Sequence, residues 1–209
     1  MKTALRIILA IVIIGLAFAL YKSIQTPIEF RQVKQERYDA TIQKLKDIRK
    51  AQLAFKDEHG RFTGSFDTLI NFIKSDSLSV VKAIGRIPDS LLEAGMTEQQ
   101  ALREGIISRD TIKVAIKDSL FRTSFEADDL WRVPYTENDT FQLGARSVES
   151  GNVDVEVFEA KVHNDVLLHD QNKQLLINLN ERMEKKMNKF PGVKVGDLEQ
   201  PNNNAGNWE

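Results

Sequence analysis

The run IILAIVIIGLAFALY, Ile7 to Tyr21, decides how this chain is organised. It carries no charge; Lys2 and Arg6 precede it and Lys22 follows it. A basic leader before an uncharged apolar run is the pattern of a segment that keeps its leading end in the cytoplasm and sends the rest across a membrane. The run falls short of the roughly 20 residues that span a bilayer. Arg6 and Lys22 can make up the difference by reaching toward water. Two fates are open. Ala17-Phe18-Ala19 fits a signal-peptidase site, with Gly15 as a helix breaker, so residues 1–22 could be a signal segment cleaved after Ala19. The apolar character continues through Leu20 and Tyr21 with no polar stretch, and Tyr21 and Lys22 suit a membrane interface, which favours an uncleaved anchor. Both readings export the body, and the expected localisation is a bacterial inner membrane, crossed once, with the C-terminal body in the periplasm.

Beyond the run, Pro27 interrupts the chain, and residues 23–60 are expected to hold an amphipathic helix from about Phe30 to Lys56. Tyr38, Ile42, Leu45, Ile48, Ala51 and Phe55 recur at steps of three or four and form one apolar stripe, while the other faces are charged in both signs. Such a stripe either faces the protein's own core or packs against other envelope proteins or copies of the chain. Tyr38, Ile42, Leu45, Ile48 and Phe55 are thus candidate interface residues. Gly60 is placed to end the helix.

Residues 61–198 read as an α+β body. Ser65 can cap a short helix carrying Phe66, Leu69, Ile70 and Ile73. Ser79 to Ile84 is a candidate strand. Thr97-Glu98-Gln99-Gln100 is a capping box before a short helix that stops at Gly105. Ile112, Val114 and Ile116 alternate with polar or small residues, the pattern of a half-buried strand. Thr140 to Arg146, a Glu149–Asn152 turn and Val153 to Val162 form a hairpin. Asp170 can cap a helix to about Lys186, with Leu176, Leu179, Met183 and Met187 on one side, ended by Pro191-Gly192. Residues 199–209, rich in Asn, are expected to be disordered. The fold class is α+β: a membrane helix, a long amphipathic helix, then a small antiparallel sheet with short helices.

This plan resembles type IV pilins and the major pseudopilin of type II secretion. Asp57-Glu58-His59-Gly60-Arg61-Phe62 is similar to the D-x-x-G-x-[YF] that follows the family's long helix. Asp129-Leu130-Trp131-Arg132-Val133-Pro134-Tyr135 resembles its D-P-W-G-x-P-Y, and Asp139 to Gly144 resembles the strand after it. The resemblance implies structural roles for Gly60, Phe62, Trp131, Pro134 and Tyr135, and a non-enzymatic part in an envelope assembly. The chain departs from the family in several ways, and Leu130 and Arg132 stand where its motif has Pro and Gly. No prepilin-peptidase signature precedes the apolar run, no glutamate lies inside it, and Ala145-Arg146-Ser147 has no acidic ligand where the family holds calcium. Read residue by residue, Trp131 to Tyr135 is equally an aromatic beside a turn set by Pro134.

Composition removes several functional classes. Of 209 residues none is cysteine, which excludes disulfides, thiolate metal sites and a cysteine nucleophile. A formal net charge of -1 offers no field for nucleic acid, so none is expected as a partner. His163 and His169 are six apart, which fits no zincin pattern, and no P-loop, G-x-S-x-G or G-x-G-x-x-G is present. No cofactor, metal or catalytic residue is expected. An enzyme would need a cleft joining such groups as Asp128, Asp129, His163 and His169. A tethered or secreted periplasmic binding or sensing module is the alternative to an assembly component. Asp followed by Ser or Thr and an aliphatic residue occurs five times, a pattern similar to a bacterial O-glycosylation acceptor. It would place sugars on Thr68, Ser77, Ser90, Thr111 and Ser119, although Asp and Ser at those places also suit helix starts and turns.

Overall fold

A computed structural model describes the backbone of residues 2–75, 77–93, 95–122 and 125–209. It describes their side chains except those of residues 2–5, 8, 77–84, 90, 92, 109–114 and 118. The fold is α+β: a long N-terminal apolar helix, then antiparallel strands with short helices.

Helix α1 runs from Lys2 to His59 without a break, 58 residues or about 87 Å at 1.5 Å per residue. The expected interruption at Pro27 is corrected, because that proline lies inside the helix. Proline removes one N–H and crowds one carbonyl, a cost of about 3 kcal/mol. The regular turns on both sides carry the helix through it. Nearby side chains supply further bonds to the same stretch: Thr26 Oγ1 donates to the Lys22 carbonyl at 2.8 Å, and Arg31 Nε donates to the Pro27 carbonyl at 3.2 Å. Gly60 ends α1 as expected, at φ +74°, with its N–H bonded to the Lys56 carbonyl at 2.7 Å.

The chain divides into two compact units, one formed by α1 up to Arg49 with Leu130–Glu209, the other by Lys50–Asp129. In the second unit the end of α1 is followed by α2 (Phe66–Ser75), β1 (Ser77–Ile84), α3 (Asp89–Glu93), α4 (Glu98–Arg103), β2 (Ser108–Ala115), α5 (Ile116–Leu120) and a 3₁₀ turn, Ala127–Asp129. Strands β1 and β2 pair antiparallel from Ser77↔Ala115 to Ile84↔Ser108. Ile116, expected to continue β2, instead opens α5 and is fully buried. Ser65 caps α2 by accepting from the Thr68 N–H at 3.3 Å, and the Thr97–Gln100 capping box closes on α4. Leu69, Ile70, Phe72 and Ile73 give α2 a buried face. Phe55 stacks on His59 with ring centroids 4.2 Å apart and meets Phe72 edge-on at 5.1 Å. Gln52, fully buried, clamps the loop after α1. Its Nε2 donates to the Thr63 carbonyl at 2.6 Å and its Oε1 accepts from the Thr63 N–H at 3.1 Å.

In the first unit β3 (Gln142–Ser150), β4 (Val153–His163) and β5 (Gly192–Gly196) form an antiparallel sheet in the order β3-β4-β5. The predicted hairpin is present, with Ser150 opposite Val153 and its turn made by Asn152 and Gly151 at positive φ. Val157, Phe158, Glu159 and Ala160 are consecutive and all buried, so the central strand is covered on both faces there. The carboxylate of Glu159 is held by Lys161 at 2.6 Å and Lys194 at 3.3 Å. Gly196, at φ +73°, lies so close to β4 that a Cβ would stand 2.1 Å from the Phe158 carbonyl oxygen. Between β4 and β5 come α6 (Asn164–Leu167), α7 (Lys173–Glu181) and a π-helical turn, Arg182–Lys186.

Two expectations in this region are corrected. Asp170 does not cap the helix, because its carboxylate is taken by Arg37; Asn172 caps α7 by accepting from the Leu175 N–H at 3.1 Å. Residues 199–209 are ordered. Asn203 and Asn204 turn the chain at positive φ, which Asn tolerates. Gly206 then bridges Val195 on the outer edge of β5. Asparagine content reads as disorder by composition, yet here these side chains make the turn and complete the strand edge.

Candidate membrane helix and interaction surface

From Leu9 to Ile24 every described side chain of α1 is exposed, among them Ile11, Ile13, Ile14, Leu16, Phe18 and Leu20. A helix apolar on all faces has no stable place in water. The exposed apolar surface extends past Lys22 to Ile24, so Ile7–Ile24 covers about 27 Å, close to the roughly 30 Å hydrocarbon core. The helix is long and apolar enough to cross a membrane.

The stripe farther along α1 is placed differently from its interface reading. Leu45 and Ile48 are fully buried and Phe55 nearly so, while Ile42 is half-buried. Their apolar surface is spent within this chain, and an interface role for Leu45, Ile48 and Phe55 is corrected on that ground. Tyr38 is half-buried, and its hydroxyl donates to Asn164 Oδ1 at 2.5 Å; burial pushes its pKa up to about 12. Asn164 is fully buried and passes the network on. Its Nδ2 donates to Asn180 Oδ1 at 2.9 Å, and Asn180 Nδ2 donates to Asp165 Oδ1 at 2.8 Å. This chain of polar side chains ties α1 to α6 and α7, and it satisfies groups that would otherwise be costly to bury.

One buried group on the stripe is unsatisfied. Thr41 is fully buried and its Oγ1 has no hydrogen-bond partner among the described residues. Leaving a hydroxyl so costs about 1–3 kcal/mol. Thr41→Val, which keeps the shape, is expected to raise folding stability by about 1 kcal/mol. Urea unfolding of the full chain in detergent reads this directly, and a variant less stable than the parent would show that the hydroxyl is bonded.

Arg37 fixes the start of α7 to α1. Its two terminal nitrogens donate to the Asp170 carboxylate at 2.7 and 2.8 Å, and one also donates to the Leu167 carbonyl at 2.8 Å. The Arg37 bond holds the Asp170 carboxyl well below the usual carboxylate range. A depressed folded value means that the contribution is complete above the unfolded value of about 3.9 and is lost as pH falls below it. Asp170→Asn is therefore expected to be less stable than the parent at neutral pH, with the gap narrowing below about pH 4. Unfolding curves at both pH values test this; a constant gap would show that the pair acts through shape alone.

The motif residues are placed as follows. Phe62 is buried. Trp131 is only half-buried; Leu130 and Val133 on either side of it are fully buried. The segment folds back on itself, the Val133 N–H donating to the Asp139 carbonyl at 2.9 Å and the Phe141 N–H to the Trp131 carbonyl at 3.0 Å. After Pro134, Tyr135 sits at φ +63°, and its hydroxyl donates to Glu36 of α1 at 2.9 Å. Among the five acceptor candidates, Thr68 in α2 and Ser119 in α5 are exposed. Ser77, Ser90 and Thr111 have backbones in β1, α3 and β2, and their side chains lie outside the described residues. Asp128 pairs with Lys74 at 2.6 Å, His163 lies 3.3 Å from Asp165, and His169 meets the Val166 carbonyl at 3.0 Å. Among the described residues no three His, Asp or Glu groups gather as metal ligands.

The chain matches no protein-family model, no curated protein and no solved structure. The residues that sequence reasoning passed over are the buried polar ones. Thr41, at the stripe spacing between Tyr38 and Leu45, and Gln52, between Ile48 and Phe55, were legible from position. Asn164 carried no local signal.

Proposed function

We propose that the chain is a non-enzymatic, membrane-anchored component of a bacterial envelope assembly, pseudopilin-like, crossing the inner membrane once with its body in the periplasm. The observation that carries this reading is the continuity of α1, in which a helix exposed and apolar on all faces to Tyr21 passes without a break into one whose stripe is buried in a folded body. A rigid connection of this kind transmits position from membrane to body, which an assembly part needs. The arrangement at Gly60 and Phe62 is consistent with the pilin-like plan. Since the stripe is used internally, lateral association is assigned to the membrane helix and the exposed faces of the body. Glycosylation is proposed at Thr68 and Ser119, the exposed acceptors.

The test is cross-linking in membranes, with a photoreactive residue placed in turn at Ile11, Ile14 and Phe18. Adducts with other membrane proteins, or with a second copy, are expected from at least one face. Retention of the chain by membranes without any adduct would leave an anchor and remove the assembly role. Release in soluble, shortened form would remove the anchor as well. Intact mass on the same preparation reads sugar additions.

A further inference from the structure

Helices α1 and α7 leave a groove of about 330 Å³ between them, lined by Pro27, Phe30, Arg31 and Lys34 on one side and Leu175, Asn178, Leu179 and Arg182 on the other. All of these residues belong to the first unit. Three of the lining residues are cationic and none is acidic. Arg31 spends its Nε on the Pro27 carbonyl, and Lys34 lies 5.1 Å from the Tyr38 ring centroid. None of Arg31, Lys34 and Arg182 forms an ion pair among the described residues. The apolar share of the lining comes from Phe30, which is buried, with Leu175 and Leu179. The π-helical turn that begins at Arg182 adds Lys185 and Lys186, which line an adjoining hollow with Asn178, Glu181 and Arg182; Lys185 is paired with Glu181 there at 2.9 Å.

The position of the groove along α1 identifies its occupant. Ile24 ends the continuously exposed apolar stretch, and Ile28, one turn on, is exposed at 37%. Pro27 to Lys34 follow Ile24 by three to ten residues, or about 4–15 Å along the helix axis. The headgroup layer of one leaflet is about 5–7 Å thick, so the near end of the groove stands at headgroup depth. A cleft with a cationic rim and apolar walls at that depth complements a molecule with a phosphate at one end and hydrocarbon at the other.

We propose that this groove holds the headgroup of an anionic phospholipid from the bilayer that α1 crosses. Arg31, Lys34 and Arg182 take the phosphate, and Phe30, Leu175 and Leu179 cover the glycerol and first acyl carbons. Bound this way, the lipid ties α7 and its π turn to the membrane surface and fixes the angle of the first unit on it. The proposal rests on the membrane reading of α1.

The full chain is reconstituted in nanodiscs containing phosphatidylcholine and phosphatidylglycerol, and the lipids it retains are weighed by native mass spectrometry. Phosphatidylglycerol is expected to be retained over phosphatidylcholine by at least about ten-fold. Each charge neutralised in Arg31→Gln, Lys34→Gln and Arg182→Gln should lower that preference by about five-fold, the value of one cation near an anionic surface. Equal retention of both lipids, or a triple variant that keeps the preference, overturns the proposal. Displacement of the lipid by inorganic phosphate alone would assign the groove to soluble phosphate compounds and also overturn it. Failure to enter nanodiscs at all would instead overturn the membrane reading. Circular dichroism of each variant confirms that the fold is intact, and Arg182→Glu, on the surface of the body, gives the same readout if the triple variant misfolds.

Discussion

Leu45→Ala is expected to lower folding stability by about 3–5 kcal/mol, the cost of deleting a fully enclosed leucine with partial collapse of the cavity. Leu45 has no exposed surface, and neither has Ile48, its neighbour on the stripe. A typical domain is stable by only about 5–15 kcal/mol, so one such cavity removes a large share. Leu45→Asp is expected to do more, since a carboxylate there is buried without a partner. The measurement is urea unfolding of the full chain in detergent, followed by circular dichroism, with association scored separately in membranes. The two readings of the stripe part here. A residue at an interface between chains would leave the isolated protein at parental stability and reduce only association. A parental unfolding midpoint for Leu45→Ala would therefore restore the interface reading and show that this face of α1 is not packed.

Deleting residues 200–209 is expected to cost a similar amount. The Gly196 N–H donates to the Ala205 carbonyl at 3.0 Å, and the Asn207 N–H donates to the Lys194 carbonyl at 3.0 Å. Asn207 Oδ1 accepts from the Lys194 N–H at 3.1 Å, and its Nδ2 donates to the Gly192 carbonyl at 2.9 Å. Arg49 of α1 grips the far end of the tail, 2.7 Å from the Glu209 carboxylate and 3.2 Å from the Asn204 carbonyl. At about 1 kcal/mol for each of the four bonds along β5, the loss is about 4 kcal/mol. The Arg49–Glu209 pair is exposed enough to add little. Hydrogen exchange offers the sharpest reading, because the Lys194 and Gly196 amides should exchange much faster without the tail. Asn207→Ala isolates the two side-chain bonds and should reproduce part of the effect. Unchanged exchange at Lys194 and Gly196 after deletion would mean that the tail does not pair with the sheet.

Both predictions fall where local reading and packing diverge. The stripe at Tyr38, Ile42, Leu45, Ile48 and Phe55 was legible because helical periodicity is a local property of the chain. Which body covers it is not, since a buried face looks the same in sequence whether it meets its own chain or another. The tail shows the converse. Its Asn content suits disorder when taken alone, and the same side chains become turn-formers and edge partners once β5 presents unpaired groups to them. Asp170 likewise suits a helix cap until Arg37, far away in sequence, claims its carboxylate.

The amino-acid sequence by itself determined the apolar helix, the amphipathic stripe, the end of α1 at Gly60, the caps at Ser65 and Thr97, the β3–β4 hairpin and the α+β class. Each of these is set by interactions within a few residues: hydrophobic period, side-chain-to-backbone bonds, and the φ that glycine permits. Only the tertiary structure decided that α1 continues through Pro27, that Asn164 links Tyr38 to Asn180, that residues 199–209 close the edge of β5, and that Arg31, Lys34 and Arg182 share one groove. These depend on contacts between residues distant in sequence, or on whether the flanking turns outweigh a local break, and no local pattern encodes either.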